Sequence, residues 1–472
     1  LKFVSKKAAF PPLGLLTVAS MLPASWNVRL ADLNIAPLRE SDILGADLVF
    51  ISAMSIQYAL AVEVIARCNA LKKTVVAGGP LFTSSHELFP TVDHFVLNEA
   101  ELTLPSFLRD MDEGHPRALY TTTQWADMAD TPFPRWSLAE LRQYSSMNIQ
   151  YSRGCPFDCE FCDITVLNGR IPRTKPTEHV LAELDNILAA GWKGPVFFVD
   201  DNFIGNRQKL KKEVLPAIAR WMKAHDSPFW FTTETSINLA DDEELLRLMV
   251  ETGFETVFIG IESPNHDSLA GCNKVQNKNR DLIDSIKKIQ RAGLEVQGGF
   301  IVGFDQDPVT IFDTMIEFIQ ESGIVTAMVG LLNAPKGTKL YNRLMKEGRL
   351  LKVFSGDNTD FTINFIPHMD RDVLLAGYRR IVQTIYSPRQ FYARIITLLK
   401  QYEPNQANIF HFNYRYLQAL GKSVVKLGII GKERGCFWKL VFWTGFKKPR
   451  LLSLAILCAI YGYHFRKISA MH

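Results

Sequence analysis

The chain has 472 residues, 47% of them hydrophobic, and a formal net charge of +4. That length exceeds one compact core and predicts two or three domains, while the near balance of charge argues against a nucleic-acid binder. Seven cysteines, three of them clustered, are too few for a disulfide scaffold and point to metal or catalytic use in a reducing compartment. The first residue is Leu1, as expected of a fragment, a processed chain or a non-standard start, and no signal-peptide pattern follows it, so a cytoplasmic protein is expected.

Within an expected first domain of residues 1–112, residues 28–100 alternate apolar runs with helical patterns. "VRLADL", "DLVFISA", "TVVAGGP" and "HFVLNE" read as buried strands. The segment "QYALAVEVIARCNAL" between the second and third reads as a helix with Leu60, Val64 and Leu71 on or near one face. This rhythm predicts a Rossmann-like parallel sheet, which binds ligands at the carboxyl ends of its strands. Gly78 and Gly79 end one strand there. They would let a flat ligand approach the backbone, and a tight turn explains them equally well. Residues 113–147, with "DEGHPRAL" just at their start and "TPFPRW" later, read as a linker.

Over residues 148–350 six apolar runs recur, each followed by a helical pattern: "NIQYSRG", "PVFFVDD", "FWFTTET", "TVFIGIE", "VQGGFIVGF" and "TAMVGLL". Gly191, Gly293 and Gly323 end three of those helices. Six strand–helix units predict an open, partial (β/α)6 barrel with its chemistry at the carboxyl ends of the strands. Residues 351–472 read as a helical region.

The first barrel strand runs into "SRGCPFDCEFCDI", which places Cys155, Cys159 and Cys162 in eight positions. Structural zinc wants four ligands, and Cys68, Cys272, Cys436 and Cys458 are isolated, each better read as a small core residue. Three thiolates on a 4Fe–4S cluster leave one iron open to a substrate or cofactor.

The segment "RGCPFDCEFC" resembles the radical S-adenosylmethionine (SAM) superfamily, whose motif is Cys-x3-Cys-x-aromatic-Cys, with Phe161 at the aromatic position. The resemblance implies that the open iron chelates S-adenosylmethionine and that its reductive cleavage yields a 5′-deoxyadenosyl radical. It further implies that Asp200 and Asp201 of "VDDN" stand where relatives hold the methionine amino group, although the usual glycines are absent. It implies cofactor contacts from Glu234 and Ser236 of "TTETSIN", and from Glu262 and Ser263 of "GIESP". Ile301 and Gly303 of "GGFIVGFD", and the loop "NAPKGT", would lie near the adenine. The amino-terminal sheet, with Gly78 and Gly79, resembles a cobalamin-binding domain whose first strand is missing from this chain. No Asp-x-His-x-x-Gly motif is present, and His86 and His94 read as ordinary loop residues. The whole resembles the subgroup of the hopanoid 2-methylase and the bacteriochlorophyll side-chain methylases.

The resemblance thus implies a cobalamin-dependent methyltransferase acting on an unactivated carbon of a small molecule, lipid-like or other. A first S-adenosylmethionine would methylate cobalamin and a second would be cleaved. An electron donor such as a flavodoxin or ferredoxin would be needed. Ring formation or carbon–carbon coupling without methyl transfer, and a non-catalytic cluster-binding protein, are the alternatives. In the tail, Leu451 to Phe465 carries no charge. Lys447, Lys448 and Arg450 stand before it and Arg466 and Lys467 after it, with Trp438, Phe442, Trp443 and Phe446 further upstream. Too short to span a bilayer, it suits a helix lying on the inner membrane face or, equally, one packed on the barrel.

Overall fold

A computed structural model describes residues 6–351, 361–404 and 421–469; the rest of the expected helical region 351–472 lies outside the described residues. The chain falls into two compact units. One holds Lys6–Asp201 with the segment that begins at Asn333; the other holds Asn202–Leu332 with the described C-terminal residues.

In the first unit, strands β1 (Leu48–Ser52), β2 (Thr74–Gly78), β3 (His94–Val96) and β4 (Leu119–Tyr120) form a parallel sheet in that order. Apolar runs such as Val75, Val76 and Ala77, buried on both faces, are what a covered parallel sheet requires. The helix Tyr58–Ala70 covers one side through Ala61, Val64, Ile65 and Cys68. Leu60, expected on or near the inward face, is 40% exposed; the buried stripe runs one residue later. Residues 28–33 form no strand. No ladder partner receives them among the described residues, and Asp32 instead turns the chain by accepting from the Ile35 and Asn34 backbone. The expected linker supplies β4, the edge strand beside β3. His94 is likewise a strand residue, its Nδ1 donating to the Arg117 carbonyl at 2.8 Å.

Further along the same unit, β5 (Met147–Ile149) pairs in parallel with β8 (Gly194–Phe198). The two-residue strands β6 (Ser152–Arg153) and β7 (Arg173–Thr174) pair antiparallel. The helix Thr177–Ala189 buries Val180, Leu184 and Ile187, and the chain leaves it through Gly191 at φ 83°.

In the second unit, β9 (Phe229–Thr235), β10 (Phe254–Glu262), β11 (Glu295–Val302) and β12 (Ala327–Leu331) run parallel as consecutive neighbours. The helices Glu243–Thr252, Leu282–Arg291 and Ile311–Ser322 follow β9, β10 and β11 in sequence, so every strand's carboxyl end meets a loop on one edge of the sheet. The C-terminal helices Arg371–Ile385 and Pro388–Gln401 pack on this unit. The guanidinium of Arg394, fully buried, donates to the carbonyls of Ile385 (2.9 Å) and Val325 (3.1 Å). In the final helix, Leu452–Ser469, residues Ala455, Cys458 and Ala459 are completely buried, so one side of the charge-free stretch is core. No helix among the described residues is long and apolar enough to cross a membrane.

Candidate active site: a clamped three-thiol loop

The three thiols lie on the segment that leaves β6 and returns in β7. The β6–β7 ladder pairs Ser152 with Thr174 and Arg153 with Arg173, closing the segment at its base. At the loop's entrance Gly154 has φ 96°, and a Cβ there would meet the Ile171 carbonyl at 2.8 Å, so no other residue fits without displacing the backbone. Cys155 N–H then donates to the Gly169 carbonyl (3.2 Å) and Cys162 N–H to the Cys159 carbonyl (3.2 Å). Cys159 is 8% exposed; Cys155, Cys162 and Phe161 are half-buried.

Charged side chains hold this loop from three directions within the unit. First, Asp200 and Asp201 follow β8. Asp200 is 1% exposed and accepts from Tyr151 N (3.2 Å), from Ser152 N and from Ser152 Oγ (2.5 Å). Asp201 accepts from Gly154 N (2.7 Å) and from Asn168 Nδ2 (2.9 Å). Burial pushes the Asp200 carboxyl up to about 7 against the pull of those donors, and it raises Asp201 as well. Both acids fix the backbone on either side of Arg153.

Second, Glu99 and Glu101, at the start of the helix Ala100–Asp112, meet Arg153 and Arg173. Arg173 binds Glu99 through two nitrogens (2.7 and 2.9 Å); Arg153 binds Glu101 (2.8 Å) and Glu99 (3.3 Å). Burial raises the Glu101 carboxyl, but the Arg153 charge together with hydrogen bonds from Arg153, backbone N–H and Thr131 holds it below its ordinary range. Third, the helix Lys339–Lys346 reaches the segment between the first and third thiols. Arg343 donates to Glu160 at 2.6 and 3.2 Å, Lys339 pairs with Asp158, and Leu340 N–H donates to the Glu160 carbonyl (2.9 Å). Neither the Glu99 and Glu101 pair nor the Lys339 and Arg343 pair was expected from the sequence. Their signals, "NEAE" and "KLYNR", are ordinary charge patterns until the fold brings them to the loop.

Glu234, Ser236, Glu262, Ser263, Ile301 and Gly303 lie in the second unit. Glu234 is half-buried near the end of β9. Ser236, 8% exposed, donates to Asn238 Oδ1 at 2.6 Å. Glu262 ends β10 with φ 64° after a bulge and pairs with Lys274 at 2.7 Å. Asn277 Nδ2 pins that bulge through the carbonyls of Gly260 and Ile261. A Cβ on Gly260 would occupy the space of the Glu262–Lys274 pair, which is why the strand carries glycine there. Ser263 is fully buried and accepts from Asn265 N–H. Ile301 is half-buried on β11, and Gly303 follows at φ 105° with its N–H on Asp307 Oδ2 (2.8 Å). Asp307, unnoticed in the sequence, also takes Phe304 N–H and the Ser268 hydroxyl. Gly78 and Gly79 spend their missing side chains on the protein itself. A Cβ on Gly78 would meet the Val96 carbonyl at 2.6 Å and one on Gly79 the Ser52 hydroxyl at 2.5 Å, the tight-turn arrangement.

A protein-family model of the radical SAM superfamily matches residues 149–319, one of a B12 binding domain residues 4–108, and one of a domain of unknown function residues 338–472. An uncharacterized methyltransferase of Synechocystis sp. is 38% identical over 98% of this chain and 88% of its own length. The hopanoid C-2 methylase of Rhodopseudomonas palustris is 34% identical over 92% of this chain and 83% of its own. The chain belongs to the cobalamin-binding radical SAM methyltransferases. Its fold resembles that of the cobalamin-dependent radical enzyme OxsB, solved with aqua-cobalamin and S-adenosylmethionine bound. The TM-score is 0.64 at 16% identity, over 98% of this chain and 78% of that one.

The cofactors of this family are a 4Fe–4S cluster, S-adenosylmethionine and cobalamin. Three thiols with no fourth cysteine nearby in sequence are the donor set for a cluster with one open iron. Among the described residues no three His, Cys, Asp or Glu side chains gather as around a single ion. A cube does not ask for that gathering, because each thiolate binds a different iron. For cobalamin, the loop after β1 leaves Met54 and Ile56 more than half exposed at the carboxyl edge of the sheet, apolar surface that a large flat cofactor can cover.

Proposed function

We propose that this enzyme methylates an unactivated carbon of a lipid-like small molecule, with Cys155, Cys159 and Cys162 as the three protein ligands of its cluster. The clamped loop carries the reading: three thiols are held at fixed entry and exit points by Asp200, Asp201, Arg153 and Arg343. When bound, the cluster and S-adenosylmethionine supply hydrogen-atom abstraction and cobalamin supplies the methyl group. The chain's residues orient these groups and exclude water. Phe161 packs beside the thiols. Glu234, Ser236, Glu262, Ser263, Ile301 and Gly303 line the S-adenosylmethionine site from a partial (β/α)6 barrel over 148–350. Residues 1–112, with Gly78 and Gly79 at a strand end, hold cobalamin, 113–147 link the two, and 351–472 close the chain. The named hopanoid C-2 methylase among the relatives supports a lipid-like substrate. A flavodoxin or ferredoxin delivers the electron, and the protein works in the cytoplasm with peripheral contact to the inner membrane face.

The test is anaerobic reconstitution with labelled S-adenosylmethionine. 5′-Deoxyadenosine forms in the parent protein, and iron content and product both collapse when any one of the three cysteines becomes serine. Undiminished product from a C159S variant would overturn the ligand assignment.

A further inference from the structure

We propose that the C-terminal region binds anionic membrane lipid through a basic, aromatic face built from residues 425–447, a function for the segment whose family description assigns none. It deepens the peripheral membrane contact proposed above and moves it away from the stretch 451–465, where Leu451, Ala455, Cys458 and Ala459 are buried in the core.

Two short stripes make the face. Val425, Ile429 and Ile430 are 46%, 59% and 73% exposed on the π-helix Val424–Ile430, which precedes the helix Arg434–Lys447. On that helix Trp438, Phe442 and Phe446 recur at four-residue spacing and therefore share one side. Phe442 is 58% and Phe446 85% exposed, and the Trp438 and Phe442 rings stack 5.7 Å apart. The stripes are locked together: Trp438 Nε1 donates to the Gly428 carbonyl at 2.9 Å, and a Cβ on Gly428 would meet the Phe437 ring at 3.1 Å. Large apolar side chains left in water at adjoining positions mark a contact surface.

Charge selects the occupant. Residues 421–450 contain eight lysines and arginines against one acid, Glu433. That acid is already neutralised, held by Arg466 at 2.7 Å with its side chain 9% exposed. Lys432, Lys439 and Lys447 are exposed beside the apolar stripes. Rings that enter the headgroup boundary under lysines that reach phosphate are the chemistry of an anionic bilayer surface.

The experiment is co-sedimentation of the full chain with vesicles of phosphatidylcholine alone or mixed with phosphatidylglycerol. The protein is expected to pellet with the mixed vesicles and to be released by 1 M salt. A K439Q/K447Q variant should bind about thirtyfold more weakly, and F442S/F446S about tenfold or more. Because all four side chains are exposed, both variants should keep the parent's melting curve and its 5′-deoxyadenosine production in vesicle-free solution. That cleavage assay reports the radical chemistry alone, so failure of either reading is told from failure of the other. Protein that stays in the supernatant with mixed vesicles, or an F442S/F446S variant that pellets like the parent, would refute the proposal. So would self-association that the same variant abolishes in the absence of vesicle binding, since a second copy would then be the occupant.

Discussion

Buried acids are treated in opposite ways at two places in this molecule. Around the thiol loop each one has a dedicated donor: Glu99 and Glu101 face Arg153 and Arg173, and Asp200 and Asp201 take backbone N–H groups. At the amino ends of β10 and β11, Glu295 is 5% exposed and its Oε1 has no hydrogen-bond partner among the described residues. Burial there pushes Glu255 and Glu295 each up to about 7, with Glu255 adding to the effect on Glu295. Burial without a counter-charge lifts a carboxyl toward neutral pH; an acid that holds a loop is met by donors that oppose that rise. The contrast separates acids that hold a loop from acids that only border the starts of two strands.

Breaking the loop's ion network is expected to have the largest effect. Arg153→Met leaves Glu101 without its guanidinium and Glu99 with one fewer, costing about 3–5 kcal/mol. Denaturant unfolding and iron content after reconstitution should fall together; a stable variant with full iron would show that the network is idle. Asp200→Asn comes next. Its amide would turn an NH2 toward a backbone N–H of Tyr151 or Ser152, a loss of about 1–3 kcal/mol with a parallel fall in cluster loading.

The strand-start acids sharpen the comparison through pH. Folded Glu255 and Glu295 hold protons that the unfolded chain has already released above its ordinary carboxylate range. Their contribution is therefore complete below about pH 4 and lost as pH rises through about 7. Glu295→Gln should flatten that decline and raise stability at pH 8 by on the order of 2 kcal/mol, read from denaturation midpoints at pH 6 and 8. An unchanged slope would mean that Glu295 does not carry the titration. The smallest effect belongs to Leu60→Ser, within about 0.5 kcal/mol because the side chain stands in water.

Much of the fold could be read from the chain. The apolar runs that became β8 to β12 and the helices between them follow from periodicity, and the cysteine spacing marked the loop before any geometry was known. What escaped were pairings that local patterns do not encode. Arg173 and Glu99 lie 74 residues apart, and Arg343 and Glu160 lie 183 apart; nothing in either neighbourhood names the other. The same limit explains "VRLADL", whose alternation is strand-like but which has no ladder neighbour among the described residues. It also explains the tail, where hydropathy identified apolar residues without revealing that Ala455, Cys458 and Ala459 are packed inside while Phe442 and Phe446 are outside.

The reach of Arg343 sets an order of events during synthesis. The thiols emerge from the ribosome early, but their loop lacks one of its three restraints until the helix Lys339–Lys346 has been made and folded back onto Glu160. A nascent chain stalled before that helix would present three cysteines on a looser tether, so iron inserted at that stage would meet a scaffold still waiting for its last brace.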